Sequence, residues 1–323
     1  MLKLIAKTQE EIMRNWRTVD PPHVSIRCIT YNHAPYIAQA LDSFLEQETT
    51  FPFEIIVHDD ASTDGTDEIV REYERKYPKI IKPIYEEENL YSRDWALLKK
   101  IIDGNCRGDY IALCEGDDYW CDSGKLQKQV DFLDSHPDFS ACTHNTVMKI
   151  MDENREEVMF PKEDAVFSLK DYRKDYHTSS IVCRRPLLLD WPEFILQSPA
   201  PGDVKMDLLF KIAGSVYRFA DVMSVYRFGV PGSWAKRVGL DKAKMLENKR
   251  NVLRYYEGVR DWAPEGCRKE IDNWIRVQTC GVMLWEGRMF EAKKKYPDLW
   301  KKMSAKKKLR MTLNAVAAYL KKK

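Results

Sequence analysis

No stretch of this 323-residue sequence approaches the ~20 consecutive apolar residues that a membrane-spanning helix needs. The opening segment, MLKLIAKTQEEIMRNW, has no apolar h-region and so does not read as a signal peptide. None of the eight cysteines, at positions 28, 106, 114, 121, 142, 183, 267 and 280, belongs to a Cys-x-x-Cys pair. Several lie inside apolar runs, so they read as reduced, mostly buried thiols of a cytoplasmic protein, which argues against zinc. The turn after the first strand, Asn32-His33-Ala34-Pro35, has no G-x-G-x-x-G, and no G-x-x-x-x-G-K-[ST] occurs anywhere. Dinucleotide-dependent redox chemistry and P-loop hydrolysis fall on those absences. Acids are missing in one region: residues 293–323 hold twelve Lys or Arg against Asp298 alone. With a formal net charge of only +2, the remainder is net acidic, which predicts a basic tail on a separate body.

The length fits one large domain with an appendage, and 44% hydrophobic residues are ample for a core. Strands are predicted at His23–Tyr31, Phe53–His58, Ile80–Tyr85, Tyr110–Cys114 and Phe139–Met148. Between them, helical spacing marks Ile37–Leu45, Asp67–Tyr77 after a Thr66 cap, a Ser92-capped helix through Ile102, and Gly124–Ser135. Two further strands are predicted at Ser215–Phe219 and Met223–Phe228. Strands alternating with helices predict a Rossmann-like, mostly parallel sheet flanked by helices. In such sheets ligands bind beyond the carboxyl ends of the strands. Three polar clusters fall on that rim: Thr30-Tyr31-Asn32, Asp59-Asp60, and Glu115-Gly116-Asp117-Asp118.

The last cluster closes the stretch DYIALCEGDDYW, residues 109–120. Three carboxylates at the mouth of a buried strand repel one another, and a hard divalent cation such as Mg²⁺ or Mn²⁺ reverses that repulsion. Gly116 permits close approach of backbone and phosphate. The alternative is a solvated acidic turn. A nucleotide held through its diphosphate, a metal and carboxylates agrees with the other two clusters.

Taken together, VSIRCITYNHAPYIAQALDSFLEQ, EIIVHDDASTDGTDEIV and GDYIALCEGDDYW resemble the landmarks of family 2 glycosyltransferases of the GT-A fold, over residues 23 to 235. The resemblance implies an inverting transferase that takes a nucleotide-sugar donor, UDP-linked by expectation, and delivers to a glycan or lipid-linked saccharide of the bacterial surface. It implies that Asp117 ligates the metal and that Glu115, where an Asp is usual, contacts the ribose. Asp59 or Asp60 would hold the base, with Tyr31 packed on it and Thr30, Asn32, Ser62, Arg93 and Gly116 completing the donor set. On the acceptor side it implies Asp118, Trp120, Thr178 and Ser179, within a His177–Val182 strand. Asp203, opening a helix over 204–212, stands where the catalytic base is found. The competing account of Asp203 is a helix cap suited to the macrodipole. Arg227, Ser233 and Trp234 are candidates for a lid hinged on Gly229 and Gly232, and the loop lacks the His that relatives often carry there. On this resemblance residues 1–20 are an N-terminal extension, 21–238 the GT-A domain, and 239–323 a helical C-terminal region.

In the tail, Leu309, Leu313, Val316 and Leu320 share one helical face flanked by lysine runs. That pattern suits peripheral contact with an anionic membrane from its inner side, or a solvated surface helix. Nothing accompanies the charge that would read nucleic acid. Two rival functions stay open on sequence alone: a catalytically inactive nucleotide-sugar binder or scaffold, and a sugar-nucleotide pyrophosphorylase.

Overall fold

The apolar runs of the sequence become strands of one mixed sheet. A computed structural model describes residues 7–172, 175–233 and 241–304. In chain order the strands are β1 (Val24–Thr30), β2 (Phe53–Asp59), β3 (Ile81–Tyr85), β4 (Tyr110–Leu113), β5 (Tyr119–Trp120), β6 (Phe139–Ile150), β7 (Arg155–Val158), β8 (Ala165–Phe167), β9 (Val182–Arg184) and β10 (Ser215–Phe228). Their order is β3-β2-β1-β4-β9-β6-β10-β5, with β7 on β6 and β8 on β10. The described residues divide into two compact units. One runs up to Trp191 and includes Met206–Pro231; the other joins Pro192–Lys205 to the chain from Gly232 onward.

In the first unit, β3, β2, β1 and β4 pair in parallel, as the strand–helix alternation predicts. All seven residues of β2 are buried, the continuous pattern expected of a parallel strand covered on both faces. In the other half of the sheet β6 and β10 pair in parallel, and the short strands around them reverse direction. β9 runs antiparallel to both β4 and β6, and β7, β8 and β5 are antiparallel to their partners. Part of the reason is local: β7 follows β6 through a short turn, with Asn154 at φ 47°, and so tight a return can only build an antiparallel pair.

The helices of this unit are α1 (Gln9–Ile12), α2 (Ile37–Leu45), α3 (Thr66–Lys76), α4 (Leu90–Arg93), α5 (Trp95–Asn105), α6 (Lys125–Ser135) and α7 (Pro186–Leu189). α2 buries Ile37, Ala40, Leu41, Phe44 and Leu45 against Ile26 and Cys28 of β1 and Ile55 and Val57 of β2 in one core cluster. The segment read as an N-terminal extension belongs to that core. Ile12 lies within the cluster, and Trp16 donates to Thr49 Oγ1 at 3.0 Å while meeting Phe53 edge-on.

Several local expectations change. Gly65, at φ 92°, is the N-cap of α3, and Thr66 is its first residue, because the Asp64 carboxylate accepts from the Thr66 amide and hydroxyl. Asn89 and Asp94, not Ser92, cap α4 and α5. The residues read as a His177–Val182 strand open instead as a 3-10 turn, Thr178–Ser180. There Ser180 Oγ donates to the His177 carbonyl at 2.6 Å and the Ser179 amide donates to His177 Nδ1 at 3.3 Å. Such side-chain-to-backbone bonds compete with the ladder. The two strands expected over 215–228 are one strand, with a register irregularity between Phe219 and Val222.

The second unit contains α8 (Glu193–Leu196), α10 (Lys242–Trp262), α11 (Glu265–Trp285), α12 (Met289–Lys295) and α13 (Pro297–Lys302); α9 (Gly202–Ala213) begins in it. α10 and α11 pack against each other. Trp274 is fully buried against Tyr256, and Gln278 donates to the Lys249 carbonyl at 2.7 Å. Trp234 and the amphipathic tail over 305–323 lie outside the described residues. Among those described, no helix is long and apolar enough to cross a membrane. All eight cysteines are free, with Cys121 exposed, Cys267 half-buried and the other six buried.

Candidate active site at the carboxyl rim of the sheet

The rim is assembled from the loops that follow β1, β2 and β4. The first two brace each other. Asn32 takes a left-handed φ of 54°, which Asn tolerates better than most residues, and its amide donates to Ser62 Oγ at 2.9 Å. Its side-chain oxygen accepts from the Thr63 amide at 2.8 Å, while the His33 amide donates to Thr66 Oγ1 and the Ala34 amide to Asp64. Tyr31 is left 44% exposed beside this lattice, an open ring face at the strand end. The lattice therefore presents an aromatic face from a braced turn, which is what binding a flat base would ask of it.

Asp59 and Asp60 separate clearly. Asp60 accepts from the Leu90 and Tyr91 amides at 2.7 and 2.9 Å, one on each carboxylate oxygen, so it holds the start of α4. Asp59 accepts from the Ser62 hydroxyl and amide, and burial raises its pKa above the usual carboxylate value. Its neighbour His58 is fully buried and bonded to Glu86 at 3.0 Å. Arg93 sits at the end of α4 in an exposed ion pair with Glu88.

The acidic turn is held from three sides. The Gly116 amide donates to the Ile29 carbonyl at 2.9 Å, and a Cβ at residue 116 would lie 2.8 Å from Thr30 Oγ1, 2.9 Å from Thr30 Cβ and 3.0 Å from Ile37 Cδ1. Glycine is needed here for close approach. Thr30 itself is buried at the end of β1, and its hydroxyl has no hydrogen-bond partner. Arg227, buried within β10 and not on the following loop, donates its amide to Asp118 Oδ1 at 3.0 Å and its guanidinium to the Asp117 carbonyl and Gln39 Oε1. The guanidinium also lies over the rings of Tyr119 and Tyr36, at 4.6 and 5.1 Å. The lid role expected of Arg227 gives way to that of a fixed brace.

The three carboxylates are consequently unequal. Asp118 is 2% exposed, and burial, then the charges of Asp117 and Glu115, raise its pKa well above the ordinary value. The Asp117 side chain keeps 15% of its surface exposed, and His33 Nε2 lies 3.9 Å from its Oδ2. Glu115 is partly buried at the strand end. Among the described residues no group of three or more His, Cys, Asp or Glu side chains could hold a metal by itself. One partly exposed carboxylate with a second nearby suits a cation such as Mg²⁺, which keeps much of its shell for water and substrate phosphates.

The acceptor-side candidates also fall into two groups. Trp120 is core: its indole donates to the Ser179 carbonyl at 2.9 Å and its ring packs on Phe44. Ser179 is fully buried, its hydroxyl between His177 Nδ1 at 2.9 Å and Ser224 Oγ at 3.1 Å. His177 stacks on Tyr226 at 4.2 Å, with Nδ1 3.8 Å from Asp118 Oδ2. Thr178 is half-buried at the head of the same turn. The two imidazoles flanking the acidic turn were not among the site residues picked from sequence; the signal for His33 was its place directly after a strand-end Tyr-Asn. Asp203 lies partly exposed in the first turn of α9. Asp207, one helical turn later, is buried with Lys211 at 3.0 Å and Tyr176, so it is committed to those two partners. Ser233 falls in the second unit, after the left-handed Gly229 and Gly232, at φ 91° and 80°.

Known proteins resemble this chain in sequence and in fold. An uncharacterized protein of Mycobacterium tuberculosis is 38% identical over 216 residues, 65% of this chain and 60% of that protein. The chain thus spans about three fifths of the length of that relative. Staphylococcus aureus TarS (residues 1–349), solved with UDP-GlcNAc, superposes with a TM-score of 0.59 at 19% identity, covering 90% of this chain and 79% of that one. The mannosyltransferase PcManGT of Pyrobaculum calidifontis, solved with GDP-Man and Mn²⁺, gives 0.55 at 18% identity, covering 96% and 87%. At these identities the two structures establish the GT-A-like fold. The model of glycosyl transferase family 2 matches residues 25–189, just over half of the sequence and the whole of the rim up to Ser179, and the chain belongs to that family.

Proposed function

We propose that the chain is an inverting, divalent-cation-dependent hexosyltransferase, moving a sugar from a UDP-sugar to a hydroxyl of a glycan or lipid-linked saccharide. The observation that carries the reading is the inequality of the acidic turn: Asp118 is buried and engaged by Arg227, while Asp117 stays partly exposed beside His33, one residue after a glycine that leaves no room for a side chain. The nucleotide-sugars bound by TarS and PcManGT, and the Mn²⁺ of the latter, support the donor class and the cation.

In this reading Tyr31 offers its ring to the base, Asp59 with Ser62 and Asn32 fixes the base edge, and Glu115 receives the ribose. Asp117 holds the cation, with His33 beside it. When bound, the cation offsets charge on the departing diphosphate. The bond from the anomeric carbon to the diphosphate oxygen breaks as the acceptor oxygen bonds to that carbon, and Asp203 takes the acceptor's hydroxyl proton. The carbon passes through an oxocarbenium-like state, so a carboxylate base and an electrostatic clamp are the two demands placed on the protein.

Single-turnover transfer and UDP calorimetry together test this. Asp203→Asn should lower transfer by ~10²–10⁴-fold while UDP affinity barely changes. Near-normal transfer by that variant would remove Asp203 as the base, since Asn caps a helix almost as well as Asp. Equal UDP affinity with and without Mn²⁺ would remove the cation from the reading.

A further inference from the structure

The second unit carries a surface that the transfer reaction does not use. α12 buries one face: Met289, Ala292 and the following Tyr296 are each 7% exposed or less, and the last two share a small core with Cys280 and Met283. That packing fixes what faces outward. Phe290 is 77% exposed, the largest value among the exposed large hydrophobic residues. Lys293 and Lys294, three and four positions on, share its helical face, and both are exposed. Lys295 and, on α13, Lys301 and Lys302 are exposed as well.

The acids of this segment do not balance those charges. Glu291 is engaged by Arg288, and Asp298 by Arg276 at 3.1 Å. Among the described residues Lys293, Lys294, Lys295 and Lys302 make no ion pair. The result is a phenylalanine standing out of a field of lysines on a helix anchored from behind. We propose that the Phe290–Lys293–Lys294 face of α12 docks on an anionic lipid surface, the ring entering the headgroup–acyl boundary and the lysines resting among the headgroups. Charge complementarity selects the anionic partner. The exposed ring selects a bilayer over a soluble polyanion, which offers nowhere to bury an apolar side chain. The proposal concerns described residues, is separate from the sequence-predicted tail over 305–323, and does not depend on the proposed reaction.

Co-sedimentation of the full chain with phosphatidylcholine vesicles, with and without phosphatidylglycerol, tests it. Binding is expected only with phosphatidylglycerol and should weaken as salt rises. Phe290→Ser should weaken vesicle binding about tenfold, as expected for losing one buried aromatic ring. The pair Lys293→Glu and Lys294→Glu should weaken it at least as much, whereas Phe290→Trp should bind as well or better. UDP affinity should stay at the wild-type value in every variant, which separates this surface from the active site. Unchanged vesicle binding in both the serine and the glutamate variants would overturn the proposal and leave any membrane contact to other segments. So would a soluble polyglutamate that displaces the vesicles while Phe290→Ser binds them like wild type.

Discussion

The Arg227 amide donates to Asp118 Oδ1 at 3.0 Å, so the second aspartate of the acidic turn is tied to β10. Burial raises the Asp118 pKa, and the bond to its Oδ1 comes from a backbone N–H, which a neutral amide oxygen can accept equally well. Asp118→Asn should therefore keep thermal stability and UDP affinity close to wild type, whereas Asp118→Ala leaves a buried N–H unpaired and should cost about 1–3 kcal/mol. Chemical denaturation beside UDP calorimetry checks both. Asp117→Asn should do the reverse, leaving stability intact and abolishing the effect of Mn²⁺ on UDP binding.

Gly116 gives a second test. A methyl group there meets Thr30 and Ile37 at 3.0 Å or less, and Thr30 belongs to the rigid end of β1. Gly116→Ala should destabilise the fold by about 1–3 kcal/mol, the usual cost of overpacking, and should weaken UDP binding by moving the turn. A Gly116→Ala protein with wild-type melting temperature and UDP affinity would show that the turn has slack.

Asp59 and Asp60 should behave differently. The two oxygens of Asp60 accept from two amides of α4, and an Asn would turn an NH2 group toward one of them. Asp60→Asn is expected to lose about 1–3 kcal/mol of stability. Asp59→Asn is expected to lose UDP affinity more than stability, because its partner Ser62 can rotate its hydroxyl to suit. Melting curves and calorimetry on the pair of variants decide the assignment; a stable Asp60→Asn protein without UDP affinity would reverse it.

Lys125 supplies a prediction in pH. It is fully buried, its Nζ lies 3.9 Å from the Trp120 ring without a hydrogen-bond partner, and burial lowers its pKa from 10.5 to about 7. Between those two values the unfolded chain holds a proton that the folded chain has released. Stability should thus rise with pH from about 7 to about 10, with a slope approaching ~1.4 kcal/mol per unit. Below pH 7 both states are charged and the full cost of the buried ammonium remains. Lys125→Met should remove this rise and be more stable than wild type at pH 7; a parallel pH profile in the two proteins would place the charge in water.

Much of the rim was legible from residue order alone. Strand ends carrying Thr30, Asp59 and Glu115 converge because parallel strands joined by helices put their carboxyl ends on one edge, and the apolar runs marked those ends to within a residue or two. The antiparallel pairings were not legible. β9 has three residues, and nothing in Val182–Arg184 says which neighbours it will pair with or in which direction. Nor could sequence tell Asp59 from Asp60, or Asp117 from Asp118. Adjacent residues of one type differ only in which tertiary partner reaches them, and those partners lie as far away as Leu90 and Arg227. Arg227 looked like a lid residue because glycines follow it; its burial depends on the cage of Tyr36, Gln39 and Tyr119.

The bond between Asp118 and Arg227 spans 109 residues, and β5, directly after the acidic turn, is paired with Ser224 and Val225 of β10. The turn is thus written early in the chain and completed late. On a ribosome, β1, β2 and β4 can meet as soon as they emerge, yet the acidic turn must wait through more than a hundred further residues for its brace. Until then three carboxylates sit together without Arg227, held only by the bond from Gly116 to β1 and the turn's own backbone. Long-range closure of this kind is slow relative to local pairing. A chain cut short before β10 would keep every residue of the acidic turn and its bond to β1, and would lack the brace on Asp118.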